Sequence, residues 1–473
     1  MAAGSAEYEM PPESISQLVD APVTPSFSLD PTRRWALMVE QPALPPIEEI
    51  AREEIKLGGI RFDPKMWTPS NLAFGLSITF RPIIAADGAP VVRPHLSIIS
   101  AQPSSSLHPG YPYCAHGRGP QALGSDADIV VEGLPPEAGV RWIAWRPSGG
   151  AVAFVVRPEK SSEQLELWYA EFDASRPAKG QKCVARPLIQ DRTLAAVLGS
   201  PHRWTVDDRL LIKVVPEGHG EPPGKPARPA GPAIQANYGA KKPARTYQDL
   251  LKNAHDVERF TYYMTAELLV LDPAALKLRP LVVGPAGGAL LRTAAPSPDS
   301  SCVMATVLCP GEFSFLVPYR RFGHTLEVWK IPPAGAVKTV RTPPRTVVRH
   351  LPTQESVPIS HDARTLGPRS MTWHPCHPAT LIWVEAIDGG DPKNDPGEGG
   401  YRDMLYTQAA PWGADTKPTP VFGFKTRWSG WWFTDDGVGL MRERRWKDRS
   451  EVAWRLDTDG TRVKLWSVRA NPE

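Results

Sequence analysis

A short module recurs along this chain and constrains its fold more than any other feature. Each copy has an aromatic-rich segment, a turn of Pro, Ser, Asp and Gly residues, and then an apolar run, most clearly in residues 142–156. Looser copies begin at Phe27, Ala295, Trp373 and Trp432. Trp145 and Trp204 are 59 residues apart, and the same interval separates Trp373 from Trp432. Phe27 precedes Trp145 by 118 residues, twice that interval. Self-similarity at a fixed period is typical of a repeat architecture.

A second apolar signature closes many of the modules and adds a further pair of strands to each. It occurs in four segments: Glu166–Asp173, Glu267–Asp272, Glu327–Ile331 and Val463–Val468. Two strand pairs joined by turns describe a four-stranded antiparallel blade. Starts near residues 27, 86, 145, 204, 295, 373 and 432 give about seven blades, with the start near 86 inferred from spacing alone. The sequence therefore predicts an all-β fold, a β-propeller of about seven four-stranded blades.

Composition agrees with this fold class and excludes several functions. The chain has 53 prolines in 473 residues, about twice the usual frequency, and proline is costly inside helices. Its 16 tryptophans need a core to pack against. A formal net charge of +3 gives no reason to expect nucleic acid or an anionic membrane as partner. No segment approaches the roughly 18 apolar residues that cross a bilayer.

The cysteines and the N-terminus bear on the cellular compartment. Five cysteines at irregular spacing do not form a disulfide framework, which favours a reducing compartment. The first residues lack the apolar core of a secretion signal, and Glu7, Glu9 and Glu13 contradict the acid-poor character of a transit peptide. A complete chain with this start is expected in the cytoplasm.

Two parts are expected: a lead-in over residues 1–65 and a propeller over residues 66–473. In the lead-in, Pro45 and Pro46 start a short helix whose apolar face would hold Ile47, Ile50, Ala51 and Ile55. The Pro/Gly/Lys-rich stretch 216–243 is interpreted as a mobile insertion within one blade. A helical turn is expected over 245–252, a strand over 257–263, and the end of the last blade at Val468.

Two clusters could be read as metal sites. His374, Cys376 and His377 are zinc-type donors, but two prolines and the lack of a second ligand pair favour a blade turn. The carboxylates of residues 388–395 suit calcium, but their spacing does not match an EF-hand, so a solvated loop is favoured. The sequence therefore predicts no metal and no cofactor.

Two further patterns bear on nucleic-acid binding and catalysis. The strongest basic run surrounds Trp446 and consists of Arg442, Arg444, Arg445, Lys447 and Arg449. Alternation along a strand would split this charge between two faces, which favours a polar surface or a patch facing a partner domain over nucleic-acid binding. No serine lies in a Gly-x-Ser-x-Gly pentapeptide, so no catalytic residue is predicted.

Several stretches resemble the N-terminal propeller of the plant and cyanobacterial glutamyl endopeptidases, a branch of the prolyl oligopeptidase family of serine peptidases. The resemblance is carried by six segments: 11–22, 43–61, 220–226, 245–252, 313–322 leading to Glu327–Trp329, and 383–391 with Arg402 and Asp403 downstream. Together these segments span nearly the whole chain.

The resemblance implies a propeller followed by a C-terminal α/β-hydrolase domain that carries the catalytic Ser, Asp and His. The 473 residues end where that domain should begin, so the propeller is expected to be inactive alone. Either the chain is a fragment or it is a free-standing propeller. The resemblance also implies the chloroplast stroma, although no transit peptide is visible.

In the family, the propeller is thought to restrict which chains reach the serine, so peptides or unfolded proteins are the expected partners. Cleavage after glutamate calls for arginine near the substrate carboxylate. Arg320 and Arg321 lie beside the most family-like segment and are the predicted substrate-binding residues; a surface or blade-to-blade ion pair is the alternative for both. Two other functions stay open: a scaffold that binds proteins, and an enzyme with its own site at Asp388–Asp395.

Overall fold

The structure, a computed structural model, consists mostly of β-strands. It describes residues 11–19, 23–83, 128–176, 179–224, 226, 246–275, 281–336, 345–413 and 416–468. The chain divides into two compact units: Met1–Glu53 with Ser70–Thr193, and Glu54–Pro69 with Leu194–Glu473. None of the helices in the described ranges is long and apolar enough to cross a membrane.

The helices are α1 (Glu13–Val19), α2 (Ile47–Ile50) and α3 (Ala254–Met264), with 3₁₀ turns at Tyr319–Arg321 and Glu398–Gly400. The first strands are β1 (Ser26–Leu29), β2 (Trp35–Glu40), β3 (Ile55–Leu57), β4 (Ile60–Asp63), β5 (Thr68–Pro69), β6 (Ser77–Pro82), β7 (Ile129–Glu132), β8 (Gly139–Trp145), β9 (Ala151–Arg157), β10 (Glu166–Glu171), β11 (Cys183–Val184) and β12 (Arg186–Ile189). The later strands are β13 (His202–Trp204), β14 (Leu210–Val214), β15 (Thr265–Leu271), β16 (Leu281–Val283), β17 (Ala289–Pro296), β18 (Cys302–Leu308), β19 (His324–Lys330), β20 (Arg345–Leu351), β21 (Arg369–Trp373), β22 (Leu381–Ala386), β23 (Asp403–Gln408), β24 (Thr419–Phe424), β25 (Arg427–Phe433), β26 (Gly439–Arg445), β27 (Ser450–Leu456) and β28 (Arg462–Val468).

The recurring module corresponds to the first turn of each antiparallel sheet. Trp145, Trp204 and Trp373 are the last residues of β8, β13 and β21, and Trp432 is the last but one of β25. A tight turn then leads into an apolar strand, as the sequence predicts. The final strand in the described residues, β28, runs to Val468.

Within the described residues, six sets of four antiparallel strands follow this pattern. The sets are β1-β2-β6-β7, β8-β9-β10-β12, β13-β14-β15-β16, β17-β18-β19-β20, β21-β22-β23-β24 and β25-β26-β27-β28. The third and fourth are joined by pairing of β15 with β17, β11 adds to the first in parallel, and β3-β4-β5 form a separate small sheet.

The start predicted near residue 86 falls in 84–127, which lies outside the described residues. The flanking strands β6 and β7 pair directly, with Phe80 opposite Ile129. The 118 residues from Phe27 to Trp145 therefore contain one complete four-stranded sheet among the described residues, where the sequence predicts two blades. The connections within this sheet are long, because the β3–β5 sheet lies between β2 and β6, and residues 84–127 lie between β6 and β7. Strands β1 and β2 lie before residue 65, and β2 pairs with β6, which lies after it. The division into a lead-in and a propeller at residue 65 stays a prediction.

Apolar residues from the strands of the first unit form one core, with alternating burial along β2 and an unbroken buried run along β9. Trp35, Leu37 and Val39 face inwards from β2 and pack with Phe80 and Phe154. The short helix α2 is found where the sequence predicts it, but Ile47 and Ile50 do not form the buried apolar face that was expected. Ile47 is 79% exposed and Ile50 is 60% exposed. Only one turn forms, and it buries Glu49 in an ion pair with the buried Arg157.

The second apolar signature supports the core through tryptophan–glutamate pairs. Residues two apart in a strand lie on the same face, so a carboxylate reaches the neighbouring indole N–H. Trp168 donates to Glu166 at 2.7 Å and Trp329 donates to Glu327 at 2.8 Å. Each pair satisfies the indole N–H of a buried Trp, which would otherwise cost free energy.

Residues 257–263, predicted as a strand, lie in helix α3, so that prediction is wrong. The predicted helical turn over 245–252 is also wrong, because residues 246–252 are not helical. Asn253 caps the helix, and its side-chain oxygen accepts from the Asp256 N–H at 2.9 Å. Phe260, Tyr263 and Met264 then share one buried face at helical spacing. Burial of this face outweighs the strand preference of the aromatic and β-branched residues.

The cap gives the first testable prediction. Replacing Asn253 with Ala removes the acceptor for the Asp256 N–H and should destabilise α3 by about 1 kcal/mol. Amide exchange of residues 254–264, measured by mass spectrometry, should become about fivefold faster. Asn253→Asp keeps an acceptor and serves as the control. Equal exchange in the Ala variant and the wild type would contradict this role.

Candidate functional site

The predicted arginines lie in a loop, residues 309–323, that joins β18 to β19. Arg320 is exposed and Arg321 is half-buried, both in the 3₁₀ turn that follows Pro318. The Arg321 guanidinium lies 5.7 Å from the centre of the Tyr247 ring, and that of Arg320 lies 5.8 Å from the Tyr319 ring. These contacts position both side chains; their role in substrate binding stays a prediction.

A third arginine, which the sequence analysis did not select, lies beside Arg320. Arg292 is half-buried on β17, and its Nη1 donates to the Arg320 carbonyl at 3.3 Å. Burial and the positive charge of Arg320 lower the pKa of Arg292. Among the described residues no carboxylate forms an ion pair with Arg292. An arginine in an otherwise small and apolar strand, Ala289–Pro296, is the signal that could have identified it.

Arg292 acts electrostatically on His324, which lies near three further side chains with hydrogen-bonding or metal-ligating groups. His324 is 8% exposed, and its Nδ1 lies 2.9 Å from the Phe322 carbonyl oxygen. Burial and the charge of Arg292 lower the pKa of His324 to about 4, so this ring is neutral at pH 7. Glu312 and His350 also act electrostatically on His324. Cys309, Glu312 and His350 form the one set of potential metal ligands found in the described part of the chain.

The acidic loop that begins at Asp388 is not simply solvated, so that prediction is corrected. Asp388 is 5% exposed and accepts two hydrogen bonds from Arg427, at 2.9 Å and 2.7 Å. Arg402 donates a third at 2.8 Å, and the Gly390 N–H a fourth at 3.0 Å. The other two carboxylates of the loop are less buried: Asp391 is half-buried and Asp395 is exposed. Spacing along the sequence did not show that distant arginines would bury this carboxylate.

The pairing extends to a second buried carboxylate. Arg427 is 1% exposed, and its Nη1 also donates to Asp403 at 2.8 Å. Arg369 forms an ion pair with Asp403 at 2.7 Å. Burial alone would raise the pKa of Asp388, but the hydrogen bonds from Arg427 and Arg402 outweigh it and hold that pKa below its usual range. The network joins the sheet β21–β24 to the first strand of the sheet β25–β28.

His374, Cys376 and His377 lie in the turn between β21 and β22, as the sequence predicts. The Cys376 N–H donates to the His374 ring at 3.2 Å, and burial lowers the pKa of His374 to about 4. The turn borders a cavity of about 380 Å³ with an apolar floor that includes Phe433. These three residues are not a metal-ligand set in the structure.

The basic run around Trp446 makes contacts within the chain. Arg449 stacks on the Trp446 ring at 3.5 Å, and Arg444 lies 5.2 Å from the same ring. Arg442 pairs with Glu451 and Arg445 pairs with Asp448. These contacts agree with the predicted polar surface.

Removing the central arginine of the buried network should be costly. Arg427→Met leaves two buried carboxylates underpaired and should lower the free energy of unfolding by about 3–5 kcal/mol. Urea unfolding followed by tryptophan fluorescence measures this difference. Arg455→Met, in the exposed pair with Asp457 of the same sheet, is the matched control and should cost less than about 1 kcal/mol. Equal losses in the two variants would show that burial adds nothing.

The pKa of Asp388 gives a pH prediction. Because this pKa is lower in the folded chain than the usual unfolded value of about 3.9, its contribution to stability is full above that value and is lost as the pH falls through the folded pKa. The stability difference between the wild type and Asp388→Asn should therefore shrink on acidification below about pH 4. Urea midpoints of both chains at pH 7, 5 and 3 test this; a constant difference would contradict it.

Two plant proteins match this chain in sequence along nearly its whole length. A probable glutamyl endopeptidase, chloroplastic, of Oryza sativa subsp. japonica is 30% identical over 458 residues, covering 96% of this chain. The protein of the same name in Arabidopsis thaliana is 29% identical over 455 residues, covering 94%. The chain spans only 42% of the rice protein and 40% of the Arabidopsis protein. No protein-family profile matches the chain.

Solved structures give weaker matches. Prolyl oligopeptidase B from Galerina marginata is 10% identical, with a TM-score of 0.35 over 70% of this chain and 36% of that chain. Dipeptidyl peptidase 4 of Porphyromonas gingivalis is 9% identical, with a TM-score of 0.38 over 97% and 56%. Scores of this size do not identify a fold. The sequence relationship, by contrast, covers nearly the whole chain. The chain is homologous to the N-terminal part of the chloroplastic glutamyl endopeptidases.

Proposed function

We propose that this chain is the propeller part of a glutamyl-endopeptidase-like serine peptidase, in which it controls access of substrate to a hydrolase domain. The observation that carries the proposal is the homology to the rice protein over 96% of the chain. The six described four-stranded sheets, two of whose five start-to-start intervals are 59 residues, support an assignment of each sheet as a blade. Since the relatives are named as chloroplastic, the proposed location is the plastid.

In this proposal the chain binds substrate and contributes no catalytic residue. A ring of blades leaves an axial channel that admits peptides and unfolded chains and excludes folded proteins by size. Cleavage after glutamate would follow in the hydrolase domain. The 473-residue chain alone is therefore proposed to be inactive.

The loop 309–323 is the proposed contact for acidic substrate. Arg292 and Arg320 place two cations close together, and no described carboxylate pairs with Arg292. Guanidinium groups recognise carboxylates by paired, charge-assisted hydrogen bonds. A glutamate side chain of a passing peptide is a suitable partner for this pair, with Arg321 nearby in the same turn.

The alternative is a free-standing scaffold that binds other proteins. The cavity beside His374 and Phe433 gives such a scaffold a surface with an apolar floor. A propeller enzyme with its own site at residues 388–395 has less support, because arginines occupy the Asp388 carboxylate.

The substrate role makes a prediction about charge. A labelled, unstructured peptide rich in Glu should bind the chain at least about tenfold more tightly than its Gln counterpart, and Arg320→Ala/Arg321→Ala should remove that preference. Fluorescence anisotropy at fixed ionic strength measures both affinities. The double variant Arg33→Ala/Arg34→Ala removes two adjacent exposed arginines elsewhere and should preserve the preference. Equal binding of both peptides by the wild type would contradict the proposed contact.

The transcript 3′ of the Glu473 codon distinguishes the gate from the scaffold. An in-frame hydrolase segment with a Gly-x-Ser-x-Gly elbow would support the peptidase, whereas a stop codon would support the scaffold. Hydrolysis of a Glu-X reporter peptide by the purified 473-residue chain, sensitive to a serine inhibitor, would overturn the claim that the chain is inactive alone.

A further inference from the structure

The backbone of the loop 309–323 is closed at its neck. The Cys309 N–H donates to the Gly323 carbonyl at 2.9 Å, and the Gly323 N–H donates to the Glu312 carbonyl at 3.1 Å. The Glu312 N–H returns to the Cys309 carbonyl at 3.1 Å, with Gly311 at a φ of +86°. This tight Cys-Pro-Gly-Glu turn, followed by the bond to Gly323, brings the side chains of Cys309 and Glu312 to the same side of the hairpin.

Strand β20 supplies a third donor at the same place. His350 is paired with Thr325 of β19, and its Nε2 lies 2.8 Å from a carboxylate oxygen of Glu312. The ligand atoms of Cys309, Glu312 and His350 all lie within 4.8 Å of one another. Atoms that share a zinc ion at about 2.0–2.3 Å lie roughly 3–4 Å apart, so small rotamer changes bring all three to one ion.

Two side-chain atoms in this cluster have no hydrogen-bond partner among the described residues. One is the second carboxylate oxygen of Glu312, Oε2, which is buried. Cys309 is not in a disulfide, and within the described residues its thiol makes no hydrogen bond. A buried, unpaired carboxylate oxygen is costly, and a bound cation removes that cost.

Space for this carboxylate depends on a glycine. A Cβ at position 323 would lie 1.9 Å from Glu312 Oε2 and 2.5 Å from Glu312 Cβ. Gly323 is therefore required where the carboxylate lies, and its φ does not demand a glycine. Cys309 and Glu312 are half-buried and His350 is exposed, so an ion can enter from solvent.

We propose that Cys309, Glu312 and His350 bind a divalent ion of the zinc class, with water in the fourth position. The mixture of thiolate, imidazole and carboxylate donors suits zinc. It does not suit Ca²⁺ or Mg²⁺, because those ions prefer oxygen ligands. The ion links the start of the loop 309–323 to β20 and so fixes the base of the segment that carries Arg320. This site does not depend on the proposed peptidase function.

Zinc binding to the purified, reduced 473-residue chain tests the proposal. Isothermal titration with Zn²⁺ and elemental analysis after dialysis should give about one ion per chain. Cys309→Ser and His350→Gln should each weaken binding at least about tenfold. Cys376→Ser is the matched control, because Cys376 is also half-buried and lies between two histidines. This substitution should leave the affinity for Zn²⁺ unchanged.

A second measurement on the wild-type chain keeps the test valid if a variant does not fold. Zn²⁺ should slow alkylation of Cys309 at least about tenfold, as measured by peptide mass spectrometry, while Cys376 in the same sample reacts at an unchanged rate. Equal protection of both cysteines, or no protection of Cys309, would overturn the proposal. Binding by Cys309→Ser at wild-type affinity would overturn it as well.

Discussion

Arg427 makes the interaction on which the arrangement of the last two sheets most depends. Arg427 is 1% exposed and is the first residue of β25. Its guanidinium bonds to Asp388, in the loop after β22, and to Asp403, the first residue of β23. Its Nε also donates to the Asp362 carbonyl at 2.8 Å. Taking such charges out of water costs several kcal/mol per ion, and only a matched set of hydrogen bonds offsets that cost. The planar guanidinium fork provides this match and a lysine ammonium does not, so the two sheets are held in one geometry.

The loop 309–323 is a second rigid feature of the same unit. Backbone hydrogen bonds between Cys309, Glu312 and Gly323 close its neck. The loop carries two groups of side chains that differ in chemistry, one cationic and one with metal-ligating atoms. The cationic group is Arg320, which lies beside Arg292. The metal-ligating atoms are the sulfur, nitrogen and oxygen donors of the proposed zinc site. A closed neck limits the motion of both groups, which binding sites require for defined geometry.

Homology extends along 96% of this chain but over only 42% of the rice relative. In the proposed peptidase, two tasks would be separated. Repeated sheets would supply a surface whose loops can vary, and the proposed hydrolase domain would supply the chemistry. Under the same proposal, positive charge at Arg292 and Arg320 would favour acidic chains, so part of the specificity would lie outside the catalytic domain.

The sequence by itself determined the repeated strand-turn-strand module, the first turns of the six described four-stranded sheets and the family relationship. These are local or linear properties: Trp145, Trp204 and Trp373 mark strand ends because turn residues follow each of them. The structure alone decided which distant groups meet. Asp388 was predicted in a solvated loop because its partner Arg427 lies 39 positions further along the chain, and the sequence does not show that the two meet. Helix α3 was predicted as a strand because Val257 and its aromatic neighbours favour strands locally, whereas burial of Phe260 favours the helix. Arg292 and His350 were not selected for the same reason: hydrogen bonding and ligand geometry depend on distances in space, which only the folded chain sets.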